Sequence, residues 1–115
     1  DPVVCVDVVE IQQVVFNLVR NAIEAMEDQP VRHLHVVTLV QRDAAQIMIH
    51  DTGPGSSMGL EEMFEPFLTT KTDGLGLGLA ICRRIIVRYG GQIWAETNEN
   101  TGIRMVASLP LMEAG

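Results

Sequence analysis

A chain of 115 residues suits one domain and leaves little room for a second. Hydrophobic residues make up 47% of it and aromatics only 4%, so a core must be built from Val, Ile, Leu, Met and Ala. The net charge of −7 argues against a nucleic-acid surface, which needs clustered Lys and Arg. It leaves room for a nucleotide, whose phosphates can be held by Mg²⁺, backbone N–H groups and a few local cations.

Val3 to Val6 is β-branched and predicts a short strand. Asp7 suits a helix N-cap, with Glu10 in capping-box register. From Val8 to about Glu27, Ile11, Val14, Leu18, Ala22, Ala25 and Met26 recur at helical spacing, and Gln13, Asn17, Asn21 and Glu24 form a separate polar stripe. His33 to Val40 and Ala45 to Asp51 read as two strands joined at Arg42-Asp43. Residues 56–73 lack a long period, and such a stretch in a compact domain is usually functional; a short helix around Leu60 to Phe64 fits inside it. Leu77 to Tyr89 predicts a second long helix, stopped by Gly90-Gly91. Gln92 to Thr97 and Ile103 to Leu109 read as a closing hairpin.

This order predicts an α+β fold, a two-layer sandwich with helices on one face of a mixed, mainly antiparallel sheet. Cys5 and Cys82 match no zinc spacing and read as two buried, reduced thiols, pointing to a reducing compartment. No apolar run reaches the ~18 residues of a membrane span, and no signal peptide is expected. The chain opens at Asp1 without Met and reads as a single domain, residues 1–115, cut from a longer protein.

Several features suit chemistry, most with a plainer alternative. Asn17 and Asn21 lie one helical turn apart and can offer amide oxygens to Mg²⁺ and NH₂ groups to phosphate, or simply make a solvated face. Asp51 ends an apolar strand at Asp51-Thr52-Gly53-Pro54-Gly55, where a carboxylate can accept from an exocyclic amine such as that of adenine; the same residues also suit a plain tight turn. Phe64-Glu65-Pro66-Phe67 places two rings in a polar loop, either to pin a lid or to form a small local core. Thr69-Thr70-Lys71 can meet phosphates. Gly74-Leu75-Gly76-Leu77-Gly78 opens a helix whose N-terminal N–H groups favour an anion. His33, His35 and His50 have no ligand spacing and read as ordinary strand histidines. No Walker-type loop or nucleophile elbow is present.

Taken in order, these segments resemble the catalytic, ATP-binding domain of sensor histidine kinases, within the superfamily shared with gyrase, Hsp90 and MutL ATPases. Gln12 to Ala25 resembles the N box, Asp51 to Gly55 the G1 box, Phe64 to Phe67 the F box and Gly74 to Gly78 the G2 box. The Asn-Ala-Ile-Glu-Ala and Phe-Leu-Thr-Thr-Lys wording is similar to the nitrogen-regulation and oxygen-sensing branch. The resemblance implies the Bergerat ATP-binding fold, an ATP lid at about 56–73, and transfer of the γ-phosphoryl group of Mg·ATP to a histidine on a separate dimerisation domain, with a response regulator downstream. It implies Asn21 as the Mg²⁺ ligand and Asn17 as its helper at the phosphates. Asp51 would face the adenine amine, bordered by Gly53 and Gly55, and Thr70 and Lys71 would reach the phosphates from the lid. Gly74, Leu75, Gly76, Leu77 and Gly78 would form the lid hinge and phosphate approach. Asn17, Asn21 and Lys71 are thus the catalytic candidates.

ATPase relatives carry a water-activating Glu where this chain has Asn17, which cannot act as a base, so transfer is expected over fast hydrolysis. Ser56-Ser57, a short lid and Leu75 depart from the family pattern, and no phosphoacceptor hairpin is present. A degenerate protein-binding module and a serine kinase of the anti-sigma type are the alternatives. The expected setting is the bacterial cytoplasm, with the isolated domain monomeric and without nucleic-acid or direct membrane contact.

Overall fold

The computed structural model describes residues 3–55, 60–65, 78–97 and 102–112. Helix α1 (Val8–Ala25) leads to strands β1 (Leu34–Gln41) and β2 (Ala44–Asp51), a 3₁₀ turn (Glu62–Phe64), helix α2 (Gly78–Arg88), and strands β3 (Gln92–Thr97) and β4 (Ile103–Pro110). The strands form one sheet in the order β1-β2-β4-β3. All its pairings are antiparallel, so the mainly antiparallel sheet expected from the sequence contains no parallel pair among the described residues.

Alternation along the strands sorts the side chains by face. Ile49 pairs with Met105, and Met105 with Ala95; Ile47 pairs with Ala107, and Ala107 with Ile93. These residues pack with Val14, Leu18 and Ala22 of α1 and Cys82, Ile85 and Ile86 of α2 in a single core. The two helices therefore cover one face, as expected. On the other face Val37, Met48, Val106 and Trp94 form a cross-strand row in register, and Val106 at its middle is fully buried.

The helix ends follow their local chemistry. Asp7 caps α1, Oδ1 accepting from the N–H groups of Val9 (2.8 Å) and Glu10 (3.2 Å). Instead of closing the capping box directly, Glu10 works through α2: the Asp7 N–H donates to the Tyr89 hydroxyl at 3.0 Å, which donates to Glu10 Oε1 at 2.5 Å. Arg88 also pairs with Glu10. Helix α2 ends in a Schellman motif, with Gly91 N–H donating to the Ile86 carbonyl and Gly90 N–H to that of Val87, both at 2.9 Å.

Two expectations need correction. Val3 to Val6 is not a strand. The Met112 N–H donates to the Val3 carbonyl at 2.6 Å, beyond the end of β4 at Pro110, and this contact does not extend into a ladder. Cys5, lying in this unpaired segment, is consequently exposed, whereas Cys82 is buried as expected. Among the described residues no helix is long and apolar enough to cross a membrane.

Candidate nucleotide site

Asn17 and Asn21 flank the buried stripe Val14, Leu18 and Ala22 on α1, and both are half-buried. The Asn17 amide acts on the Cys82 thiol of α2, favouring its ionised form. Cys82 Sγ also lies 3.7 Å from the Val14 carbonyl, to which it donates. Burial pushes this thiol up to about 11, with the Asn17 and backbone hydrogen bonds pulling partly back.

Asp51, at the end of β2, is only 5% exposed and is the only buried charged or polar residue among those described. It shares the helix-facing side of the sheet with Ile49, which aims the carboxylate towards α1. Its Oδ1 accepts the Gly53 N–H at 2.8 Å, closing an Asx-type turn. Gly53 in turn abuts the end of α1: a Cβ there would lie 2.9 Å from the Ala25 carbonyl oxygen. Ala25 is one turn beyond Asn21 on the same helix. The expected N-box and G1-box residues are therefore brought together, the amide-bearing face of α1 running into the buried carboxylate of β2.

The surroundings of this junction were not foreseen. Thr52 N–H donates to Met26 Sδ at 3.4 Å, and Thr52 Oγ1 accepts the His33 N–H at 3.0 Å. Gly102 also packs on the backbone of Asp51, a Cβ there falling 1.9 Å from the Asp51 carbonyl oxygen. The sequence signals for these contacts are faint: Thr52 lies within the turn, Met26 reads as one more apolar helix position, and Gly102 as a hairpin residue.

Phe64 is buried in the main core rather than in a separate small core of its own loop. The Arg83 guanidinium stacks on its ring, 4.1 Å from the centroid, and bridges Glu61 with two bonds of 2.9 and 3.0 Å and the Ile93 carbonyl at 3.1 Å. The hydrogen bond and charge of Arg83 hold the Glu61 carboxyl below its ordinary range. Sequence reasoning passed over Arg83, whose only signal is a cation between the core positions Cys82 and Ile85.

Gly55 is half-buried at φ +88°, and Gly78 is the exposed first residue of α2. Thr70, Lys71, Gly74, Leu75, Gly76 and Leu77 lie outside the described residues, as do Phe67 and most of the expected lid. An open apolar groove lined by Val6, Val8, Ile11, Gln12, Val15 and Phe16 lies along the first half of α1, away from Asp51. Its single polar side chain gives a nucleotide little to bind.

The donor set fits a magnesium nucleotide. A carboxylate retains acceptor capacity beyond the one Gly53 bond, as an exocyclic amine requires. Among the described residues no group of three or more His, Cys, Asp or Glu side chains could hold a metal ion. A cation here would take one amide oxygen from the protein and its remaining ligands from phosphates and water, the usual habit of Mg²⁺.

Comparison with known proteins agrees with this architecture. The chain is 42% identical over 109 residues to the sensor protein FixL of Bradyrhizobium diazoefficiens, an alignment covering 93% of the chain and 22% of FixL. It is 35% identical to the sensory histidine kinase/phosphatase NtrB of Rhizobium leguminosarum, covering 84% of the chain and 30% of that protein. The chain thus spans well under half the length of these relatives. Among solved structures, the catalytic domain of histidine kinase ThkA superposes with a TM-score of 0.80 at 39% identity, covering 93% of this chain and 70% of that one. The mycobacterial sensor histidine kinase MprB superposes with a TM-score of 0.81 at 25% identity, covering 96% and 76%. The sequence model described as "Histidine kinase-, DNA gyrase B-, and HSP90-like ATPase" matches residues 6–113. With its antiparallel sheet, two covering helices and buried carboxylate at the end of β2, the chain belongs to the histidine kinase-, DNA gyrase B- and HSP90-like ATPase family.

Proposed function

We infer that this chain is the ATP-binding catalytic domain of a sensor histidine kinase, which passes the γ-phosphoryl group of Mg·ATP to a histidine on a separate dimerisation domain. The observation that carries this reading is the buried Asp51 turn seated on the end of α1, one helical turn from Asn21. Asp51 would accept from the adenine amine, with Gly53 and Gly55 bordering the ring. Asn21 would offer its amide oxygen to Mg²⁺ and Asn17 would assist at the phosphates. Bound Mg²⁺ supplies charge neutralisation at the phosphates. Thr70, Lys71 and the 74–78 glycine run would contact the phosphates, where the N-terminal N–H groups of α2 would favour an anion.

Position 17, one turn before Asn21, holds an amide rather than a carboxylate. That favours delivery to a protein histidine over activation of water. The parent protein would act in a bacterial two-component pathway, in the cytoplasm, with a response regulator as the next acceptor.

Calorimetry of Mg·ATP on wild type, Asn21→Ala and Asp51→Asn tests the site. Each substitution is expected to weaken binding by at least about tenfold, because each removes a charge-assisted or metal-directed contact. Unchanged affinity in both variants rejects the assignment. Labelled ATP supplied with a histidine-bearing dimerisation domain tests transfer, and failure to label that domain rejects the kinase reading.

A further inference from the structure

Thr52, between Asp51 and Gly53, is where the carboxylate-bearing turn is tied to its neighbours. Its N–H donates to Met26 Sδ at 3.4 Å, and its hydroxyl oxygen lies 3.5 Å from the same sulfur and 3.3 Å from the Val31 carbonyl oxygen. The hydroxyl also accepts the His33 N–H at 3.0 Å. With one proton to give, it serves either the thioether or Val31 at any moment, whereas the backbone N–H remains on sulfur.

Met26 is well placed for this task. It is 4% exposed, and its backbone is fixed on both sides: its N–H donates to the Ile23 carbonyl at 3.1 Å and its carbonyl accepts from Gln29 at 3.0 Å. It directly follows Ala25, whose carbonyl oxygen faces Gly53. The thioether therefore provides an acceptor at the point where the turn leaves the helix end.

We propose that Met26 is a positioning residue for purine recognition, its thioether holding the Thr52 N–H so that Asp51 presents its carboxylate in the orientation an exocyclic amine requires. This rests on the reading of Asp51 as the base-binding carboxylate. An N–H donor at the purine six-position gains from that carboxylate, whereas a six-position carbonyl is repelled by it. The orientation of Asp51 should therefore govern the preference for ATP over GTP, a ratio that general loosening of the fold does not selectively change.

The test uses the 115-residue chain with Met26→Leu, which keeps the apolar volume and removes the acceptor, and Met26→Gln, which returns an acceptor at similar reach. Mg·ATP and Mg·GTP affinities are measured by calorimetry and exchange at the Thr52 amide by NMR. Met26→Leu is expected to speed Thr52 exchange, weaken Mg·ATP binding about fivefold and lower the ATP/GTP preference, as loss of one buried hydrogen bond would. Met26→Gln is expected to hold affinity within about twofold of wild type. Wild-type affinity and preference in Met26→Leu overturns the proposal, and so does a collapsed preference in a folded Met26→Gln. Should Met26→Leu fail to fold, Met26→Ile, which also lacks an acceptor, takes its place with the same expected and overturning results. Asp51→Asn is run alongside: if it leaves Mg·ATP binding intact, the underlying reading of Asp51 fails, whereas a loss there with no effect at Met26 refutes only the positioning role.

Discussion

At Gly102 the chain passes so close to Asp51 that an added Cβ would stand 1.9 Å from its carbonyl oxygen, and φ there is +91°. A side chain must both strain the backbone and push β2 away from the β3–β4 hairpin. Gly53 is less severe, its Cβ meeting the Ala25 carbonyl oxygen at 2.9 Å. Gly102→Ala is expected to lose about 2–4 kcal/mol of stability and Gly53→Ala about 1–2 kcal/mol, in that order, by urea denaturation. Equal losses would show that the Asp51 contact has room to relax. The turn from Asp51 to Gly53 was legible because it and the strand end are contiguous in sequence. Gly102 was not, because its partner lies on a distant strand and no local pattern records that approach.

Elements with strong periodicity were read nearly to their ends. The long helix expected over Val8 to Glu27 is Val8–Ala25, and the strand expected over Ala45 to Asp51 is Ala44–Asp51. Junctions between elements were harder, because they depend on tertiary partners: Tyr89 inserts into the α1 capping box, and Val3 to Val6 meets Met112 past the end of β4 without joining the sheet. Arg83 is the clearest such junction. From α2 it holds Glu61 through a forked pair and covers the Phe64 ring, tying residues 60–65 to the helix. Because Glu61 is exposed, the ion pair contributes little by itself, and the stacked ring and the Ile93 carbonyl give Arg83 its hold. Arg83→Ala is expected to raise amide exchange across Leu60–Glu65 by about tenfold or more while leaving α1 protected, with Arg83→Lys intermediate because an ammonium cannot reproduce the fork. Exchange rising equally throughout the chain would mean that Arg83 supports the whole core rather than this segment.

For the molecule as a whole, the order of the motifs anticipated the architecture, since helices that alternate with paired strands have few economical ways to bury their apolar faces. Cys82 sits where α1, α2 and the sheet meet, fully buried, with its thiol donating to the Val14 carbonyl. The folded state disfavours the thiolate, lifting the thiol from its usual 9.0 to about 11. Below pH 9 the thiol is protonated whether the chain is folded or not, and its full contribution to stability is present. Above pH 9 the unfolded chain releases the proton first, so stability falls as pH rises towards 11. The loss from this group is on the order of 2 kcal/mol. The effect of this one thiol is read as a difference: urea denaturation of wild type and Cys82→Ala from pH 8 to 11. The variant loses some stability at every pH from the truncated packing, and its curve should be flatter between pH 9 and 11. Parallel curves would show that the buried thiol does not couple ionisation to folding. Exposed Cys5 provides an internal reference, since at pH 8 a thiol reagent should label it at once while Cys82 reacts only as fast as the core opens.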